Sequence, residues 1–318
     1  MAVLQLEGLT TNYRTLRGWV RAAEDVSFSV EKGKALGIVG ESGCGKTTVA
    51  LSILKLLPAG GKIRQGKILF NGQDLVPLSD REMRKIRWKG ISIVFQGAMN
   101  ALNPVFKVGD QIVEAIRLHE SDVSKSEAKK RAESLFEMVG VEPSRIDNYP
   151  HEFSGGMRQR ALIAMALAAN PQVLIADEPG TALDVIVQAQ VLQLMRSLKE
   201  KLGLSMIVIS HDLSIVAEIC DDVAIMYAGH MAEYGDVSEI FKQPLHPYTQ
   251  GLMGAFPSIK GAKKKLLSIP GQPPDLLNPP TGCRFHPRCP YVMDICRKER
   301  PQLKEGGSAD HPVACYLY

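Results

Sequence analysis

The stretch Gly40-Glu41-Ser42-Gly43-Cys44-Gly45-Lys46-Thr47 decides how this 318-residue chain folds. It follows the apolar run 35–39 and precedes a helical pattern over residues 47–57, which gives the order strand, glycine-rich loop, helix. Glycines let the backbone N–H groups of such a loop surround phosphate oxygens, and the following helix adds a favourable dipole. A chance glycine-rich turn before Lys-Thr would lack this context. The stretch therefore predicts a phosphate-binding loop.

The residue types of the loop predict how it holds a triphosphate. Lys46 supplies a positive charge for the β- and γ-phosphates, and the hydroxyl of Thr47 is a ligand for Mg²⁺. The residues expected to contact the phosphates are Gly40, Ser42, Gly43, Cys44, Gly45, Lys46, Thr47 and Thr48.

A second apolar strand ends in two acidic residues. The run 173–177 places Asp177 at its carboxyl end, where a carboxylate can hold Mg²⁺ directly or through water. Glu178 follows, at the position where a general base for the attacking water is needed. Paired acids at a strand end are also found as helix caps, but beside a phosphate loop the catalytic interpretation is favoured.

The remaining pattern predicts an α/β fold with a mixed sheet core. Residues 3–39 indicate an N-terminal β-region, and residues 66–76 indicate a hairpin with an Asn-Gly turn. Near-continuous apolar strands alternate with helices in the later part of the chain, which is typical of a buried, mostly parallel sheet. Residues 97–168 are predicted to form an inserted helical subdomain. Proline and glycine become frequent beyond residue 242, so we expect one domain over 1–242 and an irregular extension over 243–318.

Composition excludes several classes of protein. The net charge of +4 is mild for this length and argues against a nucleic-acid binder. No apolar stretch is long enough to span a bilayer, and the N-terminus lacks the pattern of a secretory signal. We therefore expect a cytoplasmic protein that has no nucleic-acid partner and can sit against a membrane through other subunits.

The segment Phe153-Ser154-Gly155-Gly156-Met157-Arg158-Gln159-Arg160 resembles the signature motif of ATP-binding-cassette (ABC) ATPases. The resemblance extends over residues 3–240 with the motifs in the order of that family. Gln96 matches the glutamine loop, Asp184 the D-loop and His211 the switch histidine. The resemblance identifies the chain as a P-loop ABC ATPase cassette.

Membership of this family implies ATP hydrolysis at sites shared by two ATPase subunits. Each ATP then lies between one phosphate loop and the signature of the opposite subunit, contributed here by Ser154, Gly155, Gly156 and Gln159. Thr47, Gln96 and Asp177 are expected to serve Mg²⁺, and Glu178 and His211 the attacking water. Adenine is expected to stack on Tyr13, with Trp19 as the alternative.

Three segments of the tail resemble the ATPases of dipeptide, oligopeptide and nickel importers. These are Leu245-His246-Pro247-Tyr248-Thr249, Ile269-Pro270-Gly271 and the run GCRFHPRCP over residues 282–290. The resemblance implies a peripheral subunit on the cytoplasmic face of the cell membrane, which powers peptide import. Its partners would be a second ATPase subunit, either a related chain or a copy, two transmembrane permeases and an extracytoplasmic binding protein. Oligosaccharide or nickel cargo stays open as an alternative. A soluble ABC ATPase that does not act in transport is a further alternative with less support.

Four cysteines of the tail predict a metal site. Cys283, Cys289, Cys296 and Cys315 are spaced C-x5-C-x6-C-x18-C, without the short C-x2–4-C repeat typical of structural zinc. Pro290 follows Cys289, as a proline follows a ligand in ferredoxin-like loops. Members of the importer family with this cysteine set resemble iron–sulfur binders. We therefore expect a [4Fe–4S] cluster, with Zn²⁺, unligated thiols or disulfides as the alternatives.

Overall fold

The computed structural model of the chain describes residues 1–97, 101–254, 269–306 and 311–318. The strands are β1 (Ala2–Thr15), β2 (Gly18–Glu31), β3 (Ala35–Val39), β4 (Gly61–Phe70), β5 (Gln73–Asp74), β6 (Ile91–Val94), β7 (Val173–Asp177), β8 (Ser205–Ser210), β9 (Asp222–Tyr227), β10 (His230–Asp236), β11 (Lys304–Glu305) and β12 (Pro312–Val313). The helices are α1 (Lys46–Ile53), α2 (Asp80–Ile86), α3 (Val108–His119), α4 (Lys125–Met138), α5 (Gly155–Ala166), α6 (Val185–Leu202), α7 (Leu213–Ile219), α8 (Val237–Lys242), α9 (Pro247–Gly254) and α10 (Asp294–Lys298). No helix within these described ranges is both long and apolar enough to cross a bilayer.

The chain divides into two compact units. Unit 1 comprises Met1–Leu4, Val30–Ala35 and Pro77–Ile209, and unit 2 comprises Gln5–Ser29, Leu36–Val76 and Ser210–Tyr318. The predicted division at residue 242 is a different partition of the chain and stays a prediction.

Unit 1 is built on parallel strands in the order β8-β7-β6. Val173 of β7 lies opposite Ile91 on one side and Ser205 on the other. These strands are short apolar runs, and a parallel sheet that is covered on both faces buries such runs completely. Because the carboxyl ends of parallel strands meet at one edge, the residues that follow β6 and β7 come close together.

The helices of unit 1 begin and end at residues suited to those positions. Ser124 caps α4 by accepting a hydrogen bond from the N–H of Glu127, and Asp184 caps α6 in the same way. Gly203 ends α6 with φ +60, a left-handed conformation that glycine adopts without a Cβ clash. The predicted helical region 97–168 contains α3, α4 and α5.

Unit 2 contains an N-terminal sheet in the order β2-β1-β4-β5. The antiparallel pair β4 and β5 is joined at Asn71 and Gly72, whose φ values of +48 and +81 fit a tight hairpin turn. The Asn-Gly turn predicted from the sequence is therefore confirmed. Unit 2 also contains a second group of strands, in the order β11-β12-β10-β9-β3. In this group β3 and β9 are parallel, and β10 and β9 are antiparallel.

Helix α1 is shorter than the pattern over residues 47–57 predicts, since it ends at Ile53. Lys55 has φ +50, and Pro58 and Gly60 follow it, so the chain turns away before residue 57. Leu54 is buried in this turn, whereas Leu56 is 39% exposed. Their helical spacing could not reveal where the helix ends.

The tail shares the hydrophobic core of unit 2. Tyr248 and Phe285 are buried in one cluster with Val39 of β3 and Leu213 of α7. Partly buried Cys283 and Cys289 pack against the same cluster. The extension therefore buries Tyr248 and Phe285 against the elements that carry the phosphate loop, because it is too short and irregular to form a core of its own.

A buried carboxylate attaches further parts of the tail to β10. Glu233 is fully buried and accepts hydrogen bonds from the backbone N–H groups of Leu245 (2.7 Å) and His246 (2.9 Å). The Nε2 atom of His311 lies 2.6 Å from the same carboxylate. Burial of a charged group is costly unless its hydrogen bonds are made, so this arrangement fixes both segments on β10.

Candidate active site

The phosphate loop of unit 2 has the backbone that its glycines predict. Gly45 adopts φ +106, and a Cβ placed on it would lie closer than 3.0 Å to the carbonyl oxygen of Ala22. Within the described part of the chain, no side chain caps the N-terminus of α1, so the first N–H groups of the helix remain for an anionic ligand. The loop can therefore surround phosphate oxygens with backbone donors.

Lys46 is folded onto the loop itself. Its Nζ donates hydrogen bonds to the carbonyl oxygens of Gly40 (2.6 Å) and Glu41 (3.1 Å), and the residue is 5% exposed. Thr47, the next residue, is exposed at the start of α1. The ammonium group is thus held at the carbonyl oxygens of the first two loop residues, and the β- and γ-phosphates are predicted to bind to it.

The two aromatic candidates for adenine stacking differ in their surroundings. The hydroxyl of Tyr13 lies 3.4 Å from Oγ1 of Thr48, at the start of α1. The ring of Trp19 is covered on one face by the guanidinium of Arg64, at 4.6 Å. Tyr13 is therefore adjacent to the phosphate-loop helix, while Trp19 already makes a cation–π contact. The assignment of Tyr13 to adenine stays a prediction.

Cys44 does not have the reactive character expected of a thiol at a helix N-terminus. It is buried, and burial raises the pKa of its thiol despite the nearby charge of Lys46. Desolvation thus outweighs the helix dipole and favours the protonated, less nucleophilic form of the thiol. Cys44 is a packing residue, as is Cys220, which packs against the core of unit 2.

The proposed catalytic base of unit 1 is held by two neighbours. Oε2 of Glu178 accepts hydrogen bonds from Nε2 of Gln96 (2.7 Å) and from Oγ1 of Thr181 (2.8 Å). The backbone of Glu178 has φ +48, and its N–H donates to the carbonyl of Ile209 at 2.9 Å. Left-handed backbone at a non-glycine residue is concentrated at functional sites. The ends of β6 and β7 thus bring Gln96 and Glu178 together.

Asp177 and His211 lie at the ends of two different strands and differ in their exposure to solvent. Asp177 is 1% exposed at the carboxyl end of β7, whereas His211 is exposed directly after β8. An oxygen-donor set of threonine hydroxyl and aspartate carboxylate fits the preference of Mg²⁺ for hard ligands. The participation of Thr47, Gln96 and Asp177 in a metal site stays a prediction.

The signature segment begins helix α5. Ser154 is the N-cap, and its hydroxyl accepts a hydrogen bond from the N–H of Met157 at 3.3 Å. A Cβ on Gly156 would lie 2.5 Å from Cγ1 of Val187, so a larger residue would push α5 away from α6. Gly155 begins α5 and Gln159 is buried within it.

The D-loop residue Asp184 has a structural role in this arrangement. Its Oδ1 accepts a hydrogen bond from the N–H of Val187 at 2.9 Å and so caps α6. The next two residues, Val185 and Ile186, are 82% and 72% exposed. Two adjacent aliphatic side chains with this exposure are unusual and mark a surface that could be covered by another protein.

The four tail cysteines line one cavity of unit 2. The N–H of Cys283 donates to the carbonyl of Cys296 at 2.9 Å, and burial raises the pKa of the Cys283 thiol to about 11. Burial also raises the pKa values of Cys289 and Cys315. Four thiols are the donor set that an iron–sulfur cluster requires. However, no three metal-ligating side chains among the described residues form a group that could hold an ion.

Two tail residues near the phosphate loop were not predicted as site residues. The guanidinium of Arg288 pairs with the carboxylate of Glu41, and the hydroxyl of Tyr248 accepts from the N–H of Glu41. Both lie in tail segments that resemble importer ATPases, and this resemblance does not place them at the phosphate loop. No spacing rule connects them to a loop more than 200 positions earlier in the chain.

These features define a class of protein. A glycine-rich phosphate loop with its lysine, and a buried strand that ends in paired acids, are the two elements of a P-loop nucleoside triphosphatase.

Two family profiles match the chain. The profile described as "ABC transporter" matches residues 23–181. The profile described as "Oligopeptide/dipeptide transporter, C-terminal region" matches residues 232–296.

Proteins with closely similar sequences cover nearly the whole chain. The oligopeptide transport ATP-binding protein OppD of Bacillus subtilis is 50% identical over 305 residues, which are 95% of this chain and 85% of that protein. The dipeptide transport ATP-binding protein DppD of the same organism is 48% identical over 318 residues, covering 99% and 94%. The OppD protein of Escherichia coli is 46% identical over 306 residues, covering 96% and 90%.

Solved structures show the same fold. The ATP-binding cassette MJ0796, a dimer in a post-hydrolysis state with ADP and Pi, matches with a TM-score of 0.66 and 28% identity, over 74% of this chain and 98% of that one. The protein cbiO1 of Clostridium perfringens, part of the ABC transporter complex cbiONQ, also gives 0.66 and 28%, over 76% and 91%. The predicted α/β cassette fold is confirmed.

The chain belongs to the ABC transporter family, and within it to the group of oligopeptide and dipeptide transport ATP-binding subunits. It is an ATPase, as the sequence predicts.

Proposed function

We propose that the chain hydrolyses ATP to power the import of dipeptides or oligopeptides, as a peripheral subunit on the cytoplasmic face of the cell membrane. The observation that carries this proposal is the C-terminal match over residues 232–296, which joins an ABC cassette to a tail described for peptide transporters. Relatives at 46–50% identity with peptide-transport names support the same cargo.

Each motif has its own step in the proposed hydrolysis. The loop amides and Lys46 bind the phosphates, and Mg²⁺, when bound to Thr47 and Asp177, would neutralise charge on the triphosphate. Glu178 takes the proton of the attacking water, and His211 orients that water near the γ-phosphate. Release of the hydrogen bond from Gln96 would free the carboxylate of Glu178 for this step, since in the structure that oxygen is already engaged.

A second ATPase subunit is proposed to complete the site. The signature residues at the start of α5 would donate N–H and hydroxyl groups to ATP on that subunit, as a helix N-terminus favours an anion. The exposed side chains of Val185 and Ile186 lie beside the D-loop and support a contact in this region.

Permease subunits are proposed to contact the chain around the end of β6. Phe95, Val105 and Phe106 are 42%, 71% and 56% exposed on either side of Gln96 in the sequence. Phe95 directly precedes Gln96, so a permease that contacted Phe95 would lie close to the residue that donates a hydrogen bond to Glu178. The extracytoplasmic binding protein would act through the permeases and not on this chain.

Peptide uptake by cells tests the proposed cargo. A strain without this gene should fail to accumulate a radiolabelled tripeptide, and the wild-type gene should restore uptake, whereas the Glu178→Gln variant should not. Labelled nickel and an oligosaccharide serve as parallel substrates. Restored uptake of either of these, with no effect on peptides, would contradict peptide cargo.

We also propose that the four tail cysteines hold a [4Fe–4S] cluster, with Zn²⁺ as the alternative. The support is that all four side chains line one cavity and that all four are free thiols. Since no three metal-ligating side chains of the described residues form a group that could hold an ion, the thiols would have to move closer together when the cluster binds. Metal binding would require loss of the thiol protons.

Anaerobic purification tests the cluster. About four irons and four acid-labile sulfides per chain, with brown colour, are expected. The Cys296→Ser variant should lose iron, while Cys220→Ser, a cysteine outside the cavity, should retain it. Colourless wild-type protein with one zinc per chain would contradict the cluster and favour the alternative.

A further inference from the structure

An arginine from the four-cysteine segment reaches the phosphate loop. Nη1 and Nη2 of Arg288 lie 2.6 and 3.0 Å from the two carboxylate oxygens of Glu41, the second residue of the loop. This two-point geometry matches the planar guanidinium to the carboxylate and is the strongest form of such a pair. The Arg288 side chain is 5% exposed and that of Glu41 is 27% exposed.

Arg288 is itself fixed by its surroundings. Nε donates to the carbonyl of Pro270 at 2.8 Å, and Nη1 donates to the hydroxyl of Tyr227 at 3.2 Å. The residue ends a short 3₁₀ turn, His286–Arg288, directly before Cys289. The guanidinium of Arg288 is therefore pre-organised, and its side chain loses little further conformational freedom when it pairs with Glu41.

A second tail residue holds the backbone at the same point of the loop. The N–H of Glu41 donates to the hydroxyl of Tyr248 at 2.9 Å. Tyr248 is fully buried, and its ring packs against Tyr227 (4.6 Å between centroids) and Phe285 (5.4 Å). The acceptor for this loop N–H thus sits on a rigid aromatic cluster.

The charge of Glu41 is a difficulty for a loop that binds a triphosphate. A carboxylate two residues before Gly43 would repel the phosphates unless another group neutralises it. Arg288 supplies that positive charge, and in a partly buried setting the attraction is screened less than at the surface.

We propose that Arg288 and Tyr248 are positioning residues of the ATP site. Arg288 neutralises Glu41 and holds its side chain away from the phosphates, and Tyr248 fixes the direction of the neighbouring N–H. The tail thereby sets the affinity of the loop for ATP. This inference rests on the ATPase activity and is independent of the peptide cargo.

Binding of the non-hydrolysable analogue AMP-PNP with Mg²⁺ to the full-length chain tests the proposal by calorimetry. Arg288→Met should raise the Kd by at least about tenfold, which corresponds to about 1.4 kcal/mol. Glu41→Gln should bind at least as tightly as wild type, and the double variant Glu41→Gln/Arg288→Met should recover most of the lost affinity. Steady-state ATP hydrolysis should show the Arg288→Met effect in KM more than in kcat.

Two further variants separate positioning from stability. Arg300→Met removes another tail ion pair, to Asp25 (3.0 Å), without touching the loop and should bind AMP-PNP as wild type does. Tyr248→Phe keeps the buried ring and loses only the acceptor, so it should weaken binding about threefold. The nucleotide-free melting temperature should fall by only a few degrees, because a single N–H loses its partner. Tyr248→Phe also provides the test of the positioning role if Arg288→Met does not fold.

Three results would overturn the proposal. The first is wild-type affinity in Arg288→Met, and the second is the same loss of affinity in Arg300→Met. The third is a double variant that binds as weakly as Arg288→Met, since neutralisation of Glu41 would then play no part. If Arg288→Met does not fold, wild-type affinity in Tyr248→Phe overturns the positioning role instead.

Discussion

Two glycines of the phosphate loop provide a matched pair that separates backbone strain from steric overlap. Gly43 has φ +77, and none of the described atoms beyond its own neighbours lies within 4 Å of where a methyl group would be added. Gly45 has φ +106, and the carbonyl oxygen of Ala22 lies within 3.0 Å of the corresponding position. Alanine at residue 43 would meet only the cost of left-handed backbone, about 1–2 kcal/mol. Alanine at residue 45 would meet a comparable strain and, in addition, an overlap with backbone that costs about 1–3 kcal/mol.

Urea unfolding of the nucleotide-free chain measures the difference. The free energy of unfolding of Gly45→Ala should lie about 1–3 kcal/mol below that of Gly43→Ala, with the same m-value in both variants. Because Ala22 contributes a main-chain atom, the overlap has no side chain to relieve it, and relaxation must move the loop. Gly45→Ala should therefore also bind ATP more weakly. Equal stability of the two variants would refute the steric argument.

Three other perturbations follow from the same contacts. Glu233→Ala should lower the free energy of unfolding by about 3–5 kcal/mol, because buried donors lose their acceptor, and Glu233→Gln should cost less. Urea unfolding measures this. A loss of less than about 1 kcal/mol in Glu233→Ala would contradict the prediction. Iodoacetamide should modify Cys44 far more slowly in the native chain than in urea, as measured by peptide mass spectrometry. Equal rates would mean that the thiol is accessible and is not held protonated by burial. Gly156→Ala should destabilise the chain by about 1–3 kcal/mol. The double variant Gly156→Ala/Val187→Ala should recover part of this loss. If it does not, α5 and α6 are not in contact at this point.

Local pattern predicts the elements that carry the loop and the acidic strand end. The runs 35–39 and 173–177 are continuous, apolar and bounded by glycine or acidic residues, so their burial in a parallel sheet follows from composition alone. The phosphate loop likewise contains its own signal, since glycine, lysine and threonine act through backbone and charge at fixed spacing.

Long-range contacts have no such signal. Arg288 and Glu41 lie 247 positions apart, and nothing in either neighbourhood indicates the other. The hydrogen bond between Gln96 and Glu178 depends on the adjacency of β6 and β7, which the sequence does not specify. The pKa of the Cys44 thiol also depends on more than local sequence, because burial, a property of the whole fold, outweighs the local dipole of α1.

Phosphate release by the assembled transporter tests the central claim, that this chain hydrolyses ATP with Glu178 as the base. Glu178→Gln should lower kcat by at least about 100-fold while ATP-bound dimers accumulate on size-exclusion chromatography. Glu200→Gln, an exposed acid on α6 that pairs with Arg196, is the matched control and should behave as wild type. Hydrolysis by Glu178→Gln at the wild-type rate would contradict the account.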